Sequence, residues 1–255
     1  MSTVNNTDEI VIDIKGVTKQ FGSNQILKGL DLQLRKGENL VVLGKSGTGK
    51  SVLIKCIVRL LDPDAGSITV LGEEVTSMDS NALNEVRKQI GFLFQSGALY
   101  DSMTVRENLE FPLRRIRKGI SNDEVDAKVK EVLENVGLPD AIDKMPSELS
   151  GGMRKRISLA RTVIVDPQII LYDEPTTGLD PITSDEIALL INDIQKKYKT
   201  ASIIITHDIE CARTVADRVV MLNEGLVYKE GTLAEFEKDD DVFISSFFQM
   251  KQNTK

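Results

Sequence analysis

Hydrophobic positions alternate with polar ones over residues 10–14, Ile-Val-Ile-Asp-Ile, and the β-branched side chains there predict a strand. Residues 26–34 alternate in the same way. Residues 40–43 form a short apolar run ending at Gly44, the pattern of a buried strand. The period then lengthens. Over residues 49–61, Val52, Leu53, Cys56, Ile57, Leu60 and Leu61 fall on one broad face, which predicts a helix. Asp62-Pro63-Asp64-Ala65-Gly66 is a turn cluster, and residues 67–71 read as a further strand.

A strand is predicted at 90–94, after which the chain turns to helix, charge and loop. Ser121 and Glu124 stand three apart as a capping box, opening a helix that runs to about Val136. Residues 150–165 predict another, with Met153, Ile157, Ala160 and Ile164 at helical spacing. A strongly apolar run at 168–172 leads into Asp173 and Glu174. Residues 183–197 read as helix, and 201–206 and 218–222 as strands. Strands alternating with helices imply an α/β core. The mostly helical stretch from about 95 to 165 reads as an inserted subdomain.

Composition narrows the class. The 255 residues are 41% hydrophobic and 28% charged, the balance of a soluble globular protein. A formal net charge of −7 argues against a sequence-independent nucleic-acid binder, which needs a basic face. The two cysteines, Cys56 and Cys211, form no CxxC or Cys/His cluster, and Cys56 in its apolar run reads as a buried reduced thiol. The polar, acidic residues 1–9 lack the pattern of a signal peptide. No stretch approaches the ~20 apolar residues that cross a bilayer. Any service to a membrane is therefore expected from a peripheral subunit.

The strongest chemical signal is Gly44-Lys45-Ser46-Gly47-Thr48-Gly49-Lys50-Ser51, a complete P-loop spacing between a predicted strand and a predicted helix. Glycines let backbone amides converge on phosphate oxygens, and the helix start adds its positive end. Lys50 supplies a point charge for the β and γ phosphates, and the Ser51 hydroxyl suits Mg2+. Asp173 and Glu174 end an apolar strand, where open α/β sheets place their ligands. Asp173 would hold the Mg2+ shell, and Glu174 would polarise the attacking water as general base. Ser150, Gly151 and Gly152 start a helix and make either a second anion site or an ordinary N-cap. His207 is the single histidine; a lone histidine is more often structural than catalytic, and its place after a predicted strand shifts the reading toward function.

Together these residues resemble the nucleotide-binding domain of ABC transporters, from about residue 10 to 235. Gly44–Ser51 is similar to the Walker A motif, Gln95 to the Q-loop and 149–153 to the signature. Residues 169–174 are similar to Walker B, Gly178-Leu179-Asp180 to the D-loop, and Ile205-Thr206-His207-Asp208 to the switch histidine segment. Phe21 matches the aromatic that stacks on adenine; core packing is its alternative. The usual signature ends in Gln where this chain has Met153, which removes one polar contact near the nucleotide. With 94–100, 145–153 and 180–183, it resembles the ATPase subunit of Mla-type phospholipid transporters, which work with MCE-domain proteins in bacterial envelopes.

The resemblance implies a P-loop NTPase of ABC type: a mixed β-sheet core, an antiparallel β subdomain and a helical insert at about 96–165. The ATPase domain would span 8–236, with a tail at 237–255. Its implied ligands are ATP and Mg2+, the metal held by Ser51, Gln95 and Asp173. ATP would touch Phe21, the loop 44–51 and, from a second copy, Ser150, Gly151, Gly152 and Asp180. Lys50, Gln95, Glu174 and His207 would act in hydrolysis. The implied assembly is a head-to-tail ATP sandwich dimer on an integral membrane permease, at the cytoplasmic face of the inner membrane. MCE-domain and STAS-domain subunits are further implied partners, and nucleic acid is not among them. Leu99, Tyr100 and Met103 would meet the permease or pack inside the helical subdomain. Val242, Phe243, Ile244, Phe247 and Phe248 in the tail would dock on a partner or fold back on their own domain.

Overall fold

The computed structural model describes residues 9–249. Its strands are β1 (Ile10–Phe21), β2 (Asn24–Arg35), β3 (Asn39–Leu43), β4 (Ala65–Val70), β5 (Glu73–Glu74), β6 (Ile90–Leu93), β7 (Ile169–Asp173), β8 (Ala201–Ile205), β9 (Arg218–Asn223) and β10 (Leu226–Gly231). Its helices are α1 (Lys50–Ile57), α2 (Ser80–Arg87), α3 (Val105–Ile116), α4 (Asn122–Asn135), α5 (Gly151–Val163), α6 (Pro181–Tyr198), α7 (Ile209–Val215), α8 (Leu233–Glu237) and α9 (Val242–Gln249). Contacts group the chain into two compact units. One is built from residues up to Thr76 and from Ile203 onward, the other from Ser77–Ser202.

In the first unit, β1 pairs antiparallel with both β2 and β4, giving the sheet order β2-β1-β4-β5. β1 runs past the predicted 10–14 because a bulge between Ile14 and Val17 resets its alternation and returns Val17 to the core. A second, mixed arrangement pairs β3 parallel with β9, and β9 antiparallel with β10. All five residues of β3 are buried, which is why that run is continuously apolar. Arg218, at the start of β9, donates to both oxygens of Glu38, Nε to Oε1 at 2.6 Å and Nη2 to Oε2 at 2.8 Å. Both side chains are nearly buried, so this fork fixes where β3 begins.

Helix α1 stops at Ile57, short of the predicted Leu61. Arg59 takes a left-handed φ of 49°, and Leu60 N donates back to Lys55 O at 2.9 Å, closing the helix in a Schellman turn. A non-glycine residue is held there because its guanidinium donates to Asp62 at 2.9 Å and to Val75 O at 3.0 Å. Leu60 consequently points outward, 52% exposed, rather than joining the apolar face.

In the second unit, β6 and β7 pair parallel from Ile90↔Ile169 to Leu93↔Tyr172. The segment 96–165 carries α3, α4 and α5, which pack on one another, and α5 also packs on β6 and α6. The predicted capping box at Ser121 and Glu124 is present on α4, and Thr104 with Glu107 caps α3 in the same way. Asp180 caps α6 and Pro181 occupies its first position, so this helix starts two residues before the predicted 183. Buried Asn108 accepts from Tyr100 N at 2.8 Å and donates to Tyr100 O, Met103 O and Thr104 O, shaping the turn ahead of α3.

The tail reading falls partly outside the described residues, as does residue 8. Within them, α9 folds back on its own unit. Tyr228 donates to Asp241 at 2.7 Å, and the Phe243 ring meets Tyr228 edge-on at 5.2 Å.

Candidate functional site

The first unit holds the phosphate loop. It leaves the C-terminal end of buried β3 and enters α1, whose N-cap is Gly49 with φ 101°. Only glycine takes that conformation cheaply, and here a Cβ would also lie 2.9 Å from Leu27 Cδ2. Buried Lys50 lies along the loop, its Nζ donating to Gly44 O at 2.7 Å and Lys45 O at 3.1 Å. Thr48 Oγ1 donates to Lys45 O at 2.9 Å and braces the same turn. Ser51 stands next to Lys50 in the first turn of α1.

Two other predicted residues lie in this unit. Phe21 ends β1 with its ring 48% exposed, so core packing is not its role. Thr206 N donates to Val42 O at 3.3 Å, which sets the end of β8 beside the end of β3. His207 is therefore exposed on the sheet edge from which the phosphate loop also departs. Burial raises the Cys56 thiol to about 11, an unreactive group in the core behind the loop.

The second unit holds the remaining predicted residues. Asp173 is the last residue of β7 and is buried. Glu174 follows with a left-handed φ of 52°, a costly conformation for a non-glycine residue and one typical of functional turns. Its Oε2 accepts from Thr177 Oγ1 at 3.2 Å. Gln95 is exposed just beyond β6. Ser150 caps α5, its Oγ accepting from Met153 N at 3.2 Å. This N-cap role belongs to Ser150 whatever else it binds. Gly152 lies so close to Thr183 that a Cβ would sit 2.6 Å from Thr183 Cγ2, which joins the starts of α5 and α6. Asp180 uses both carboxylate oxygens on Thr183, at 2.6 Å to Oγ1 and 3.1 Å to the amide. The hydroxyl contact, then the amide, holds this carboxyl below the ordinary aspartate range.

One residue of this unit escapes sequence reasoning. Lys155 on α5 is only 5% exposed, and its Nζ donates to the backbone oxygen of Gln95 at 2.8 Å. Burial pulls its ammonium below the ordinary lysine range, and attraction by Asp173 and Glu174 opposes that. Lysines on helices usually face solvent, and the partner is 60 residues away, so no local signal marks it.

A glycine-lined loop between a buried parallel strand and a helix, wrapped around a buried lysine, defines a P-loop nucleotide-binding domain. A family model described as ABC transporter matches residues 27–177. The chain is 45% identical over 213 residues to the probable ribonucleotide transport ATP-binding protein mkl of Mycobacterium leprae, covering 84% of this chain and 61% of that protein. It is 39% identical over 225 residues to the methionine import ATP-binding protein MetN of Brucella abortus, covering 88% of this chain and 60% of that one. The chain thus spans about 60% of the length of these curated relatives. Among solved structures, it is similar to the dimeric post-hydrolysis state of the ATP-binding cassette MJ0796 bound to ADP and Pi. That likeness has a TM-score of 0.80 and 32% identity, over 87% of this chain and 98% of that one. It is similar also to cbiO1 of Clostridium perfringens, part of the ABC transporter complex cbiONQ, with TM-score 0.83 and 26% identity over 96% and 97% of the two chains.

This chain belongs to the ABC transporter family. Its fold is that of the family's ATP-binding cassette, α/β with an antiparallel sheet and a helical insertion.

Proposed function

We propose that the chain is the ATP-hydrolysing subunit of a membrane transporter that moves phospholipid across a bacterial envelope. The observation that carries the lipid reading is the wording around the signature. Residues 145–153 end in Met153 where Gln is usual, and 94–100 and 180–183 follow the same Mla-type pattern. Names of relatives support a second reading, since they speak of ribonucleotide transport and of methionine import.

The residues take separate tasks. Lys50 neutralises the β and γ phosphates, and the amides of 44–51 cradle them. Phe21 offers an exposed ring to the base. Ser51 and Asp173 are hard oxygen donors of the kind Mg2+ prefers, and Gln95 joins them. When bound, the metal neutralises charge on the phosphates. Glu174 removes a proton from the attacking water, and His207 holds the water and the γ-phosphate. Ser150, Gly151, Gly152 and Asp180 meet the nucleotide of a second copy, so ATP glues two copies head to tail. The dimeric form of MJ0796 supports that assembly. No helix among the described residues is long and apolar enough to span a bilayer. The reading places the subunit peripherally, on a permease at the cytoplasmic face of the inner membrane, with MCE-domain and STAS-domain subunits. The Tyr100–Phe111 edge-on pair, both rings partly exposed, offers the permease an apolar contact.

Two measurements test this. Glu174→Gln is expected to bind ATP, accumulate as a dimer and lose turnover; hydrolysis at the wild-type rate refutes the base assignment. Purification from membranes with lipid identification by mass spectrometry is expected to yield a permease carrying phospholipid. Recovery of the complex with a bound amino acid, or with a ribonucleotide other than ATP or ADP, and no lipid moves the assignment to the second reading.

A further inference from the structure

One face of α5 holds the backbone at Gln95 and Ala98 and packs against Gly97 between them. Residues 97 and 98 are both left-handed, at φ 79° and 51°, so the loop is tight and costly. Gly97 packs where a Cβ would lie 2.6 Å from Ser158 Oγ. Arg161 Nη1 donates to Ala98 O at 3.2 Å, and its guanidinium lies 5.0 Å from the centre of the Tyr100 ring. Lys155 grips the start of the loop through Gln95 O. Positions 155, 158 and 161 recur every three residues, which keeps them on one side of the helix. Of these handles, only Lys155 combines a buried cation with electrostatic attraction to both Asp173 and Glu174.

We propose that Lys155 is a positioning residue for ATP hydrolysis, fixing the Gln95 backbone relative to the Asp173–Glu174 carboxylate pair. It touches neither water nor phosphate in this role. A buried charge is kept only where it is compensated, and the compensation here comes from one loop carbonyl and two acids. Its hydrogen bond anchors a loop that would otherwise relax from its left-handed turn. Because Ser150 caps the same helix, a shift of α5 carries the Gln95 loop with it. This inference rests on the proposed roles of Gln95, Asp173 and Glu174.

The test compares Lys155→Met, Lys155→Gln and Lys155→Arg in the full-length chain, at concentrations where two copies meet. ATP turnover with Mg2+ gives kcat and KM, a fluorescent ATP analogue gives affinity, and circular dichroism reports folding. Lys155→Met is expected to lower kcat at least about tenfold while KM and affinity stay within about threefold. Lys155→Arg, which keeps charge and donor, is expected to hold kcat within about threefold of wild type, with Gln between the two. A folded Met variant at wild-type kcat overturns the proposal. So does an Arg variant that is folded and as slow as Met. If Met does not fold, Gln decides: a reduced kcat supports the proposal and a wild-type kcat overturns it. Glu174→Gln run beside them separates the two ideas, since its turnover tests the base alone and the Lys155 series tests the positioning.

Discussion

Replacing Gly44 by alanine probes how closely the phosphate loop is fitted to the sheet beneath it. The new Cβ would lie 2.7 Å from the backbone oxygen of Leu222 and 2.7 Å from Thr48 Oγ1. A methyl group needs roughly 3.5 Å, so the deficit is roughly 0.8 Å against two atoms at once. Thr48 can turn away only by giving up its hydrogen bond to Lys45 O. Leu222 cannot yield, because β9 is paired with β10 on one side and with β3 on the other. The loop itself must then rise. Overpacking of this kind costs about 1–3 kcal/mol, and a displacement near 1 Å at a positioned group costs on the order of 100-fold in rate. Gly44→Ala is thus expected to unfold at lower denaturant, to bind a fluorescent ATP analogue at least about tenfold more weakly and to lose most turnover. Adding Thr48→Ala removes one obstacle and leaves the other, so it should restore less than half of the lost affinity. A Gly44→Ala protein with wild-type midpoint and wild-type affinity refutes the close fit on which the loop's preorganisation depends.

Gly152→Ala should destabilise by about 1–3 kcal/mol, through the 2.6 Å approach to Thr183 Cγ2. Thr183→Ser deletes that methyl while keeping the hydroxyl bonded to Asp180, so the double variant should recover most of the loss. Additive losses in a denaturation cycle would remove the contact from the account. Asp180→Asn addresses acid stability. The carboxyl of Asp180 is depressed by its Thr183 hydroxyl and amide bonds. Its contribution is therefore complete above the unfolded value of about 3.9 and is lost as pH falls through the lower folded value. Asparagine also caps helices, so stability at neutral pH should change little while the acid limb of the melting curve becomes shallower. Melting temperatures between pH 6 and pH 3 check this, and parallel curves for the two proteins refute it.

Much of the molecule is legible along the chain because its causes are local. The loop Gly44–Ser51 needs glycines and a lysine at set spacing, since phosphate contacts come from consecutive amides and one adjacent side chain. Ser121 and Glu124 announce α4 because a capping box closes within four residues. The continuous apolar runs of β3 and β7 follow from burial on both faces. What tertiary structure decides lies where the partner is far along the chain. Helix α1 ends early where Arg59 reaches the Val75 carbonyl, 16 residues on, so the apolar period through Leu60 misleads. Phe21 is exposed although its composition suits a core. Lys155 reads as a solvated helix residue until folding buries it against Gln95, 60 residues away. Sequence by itself determined which short segments can bind phosphate and which can cap or pair. Only packing, which sets burial and long-range partners, decided which charge is held beneath them and why the glycines cannot be replaced.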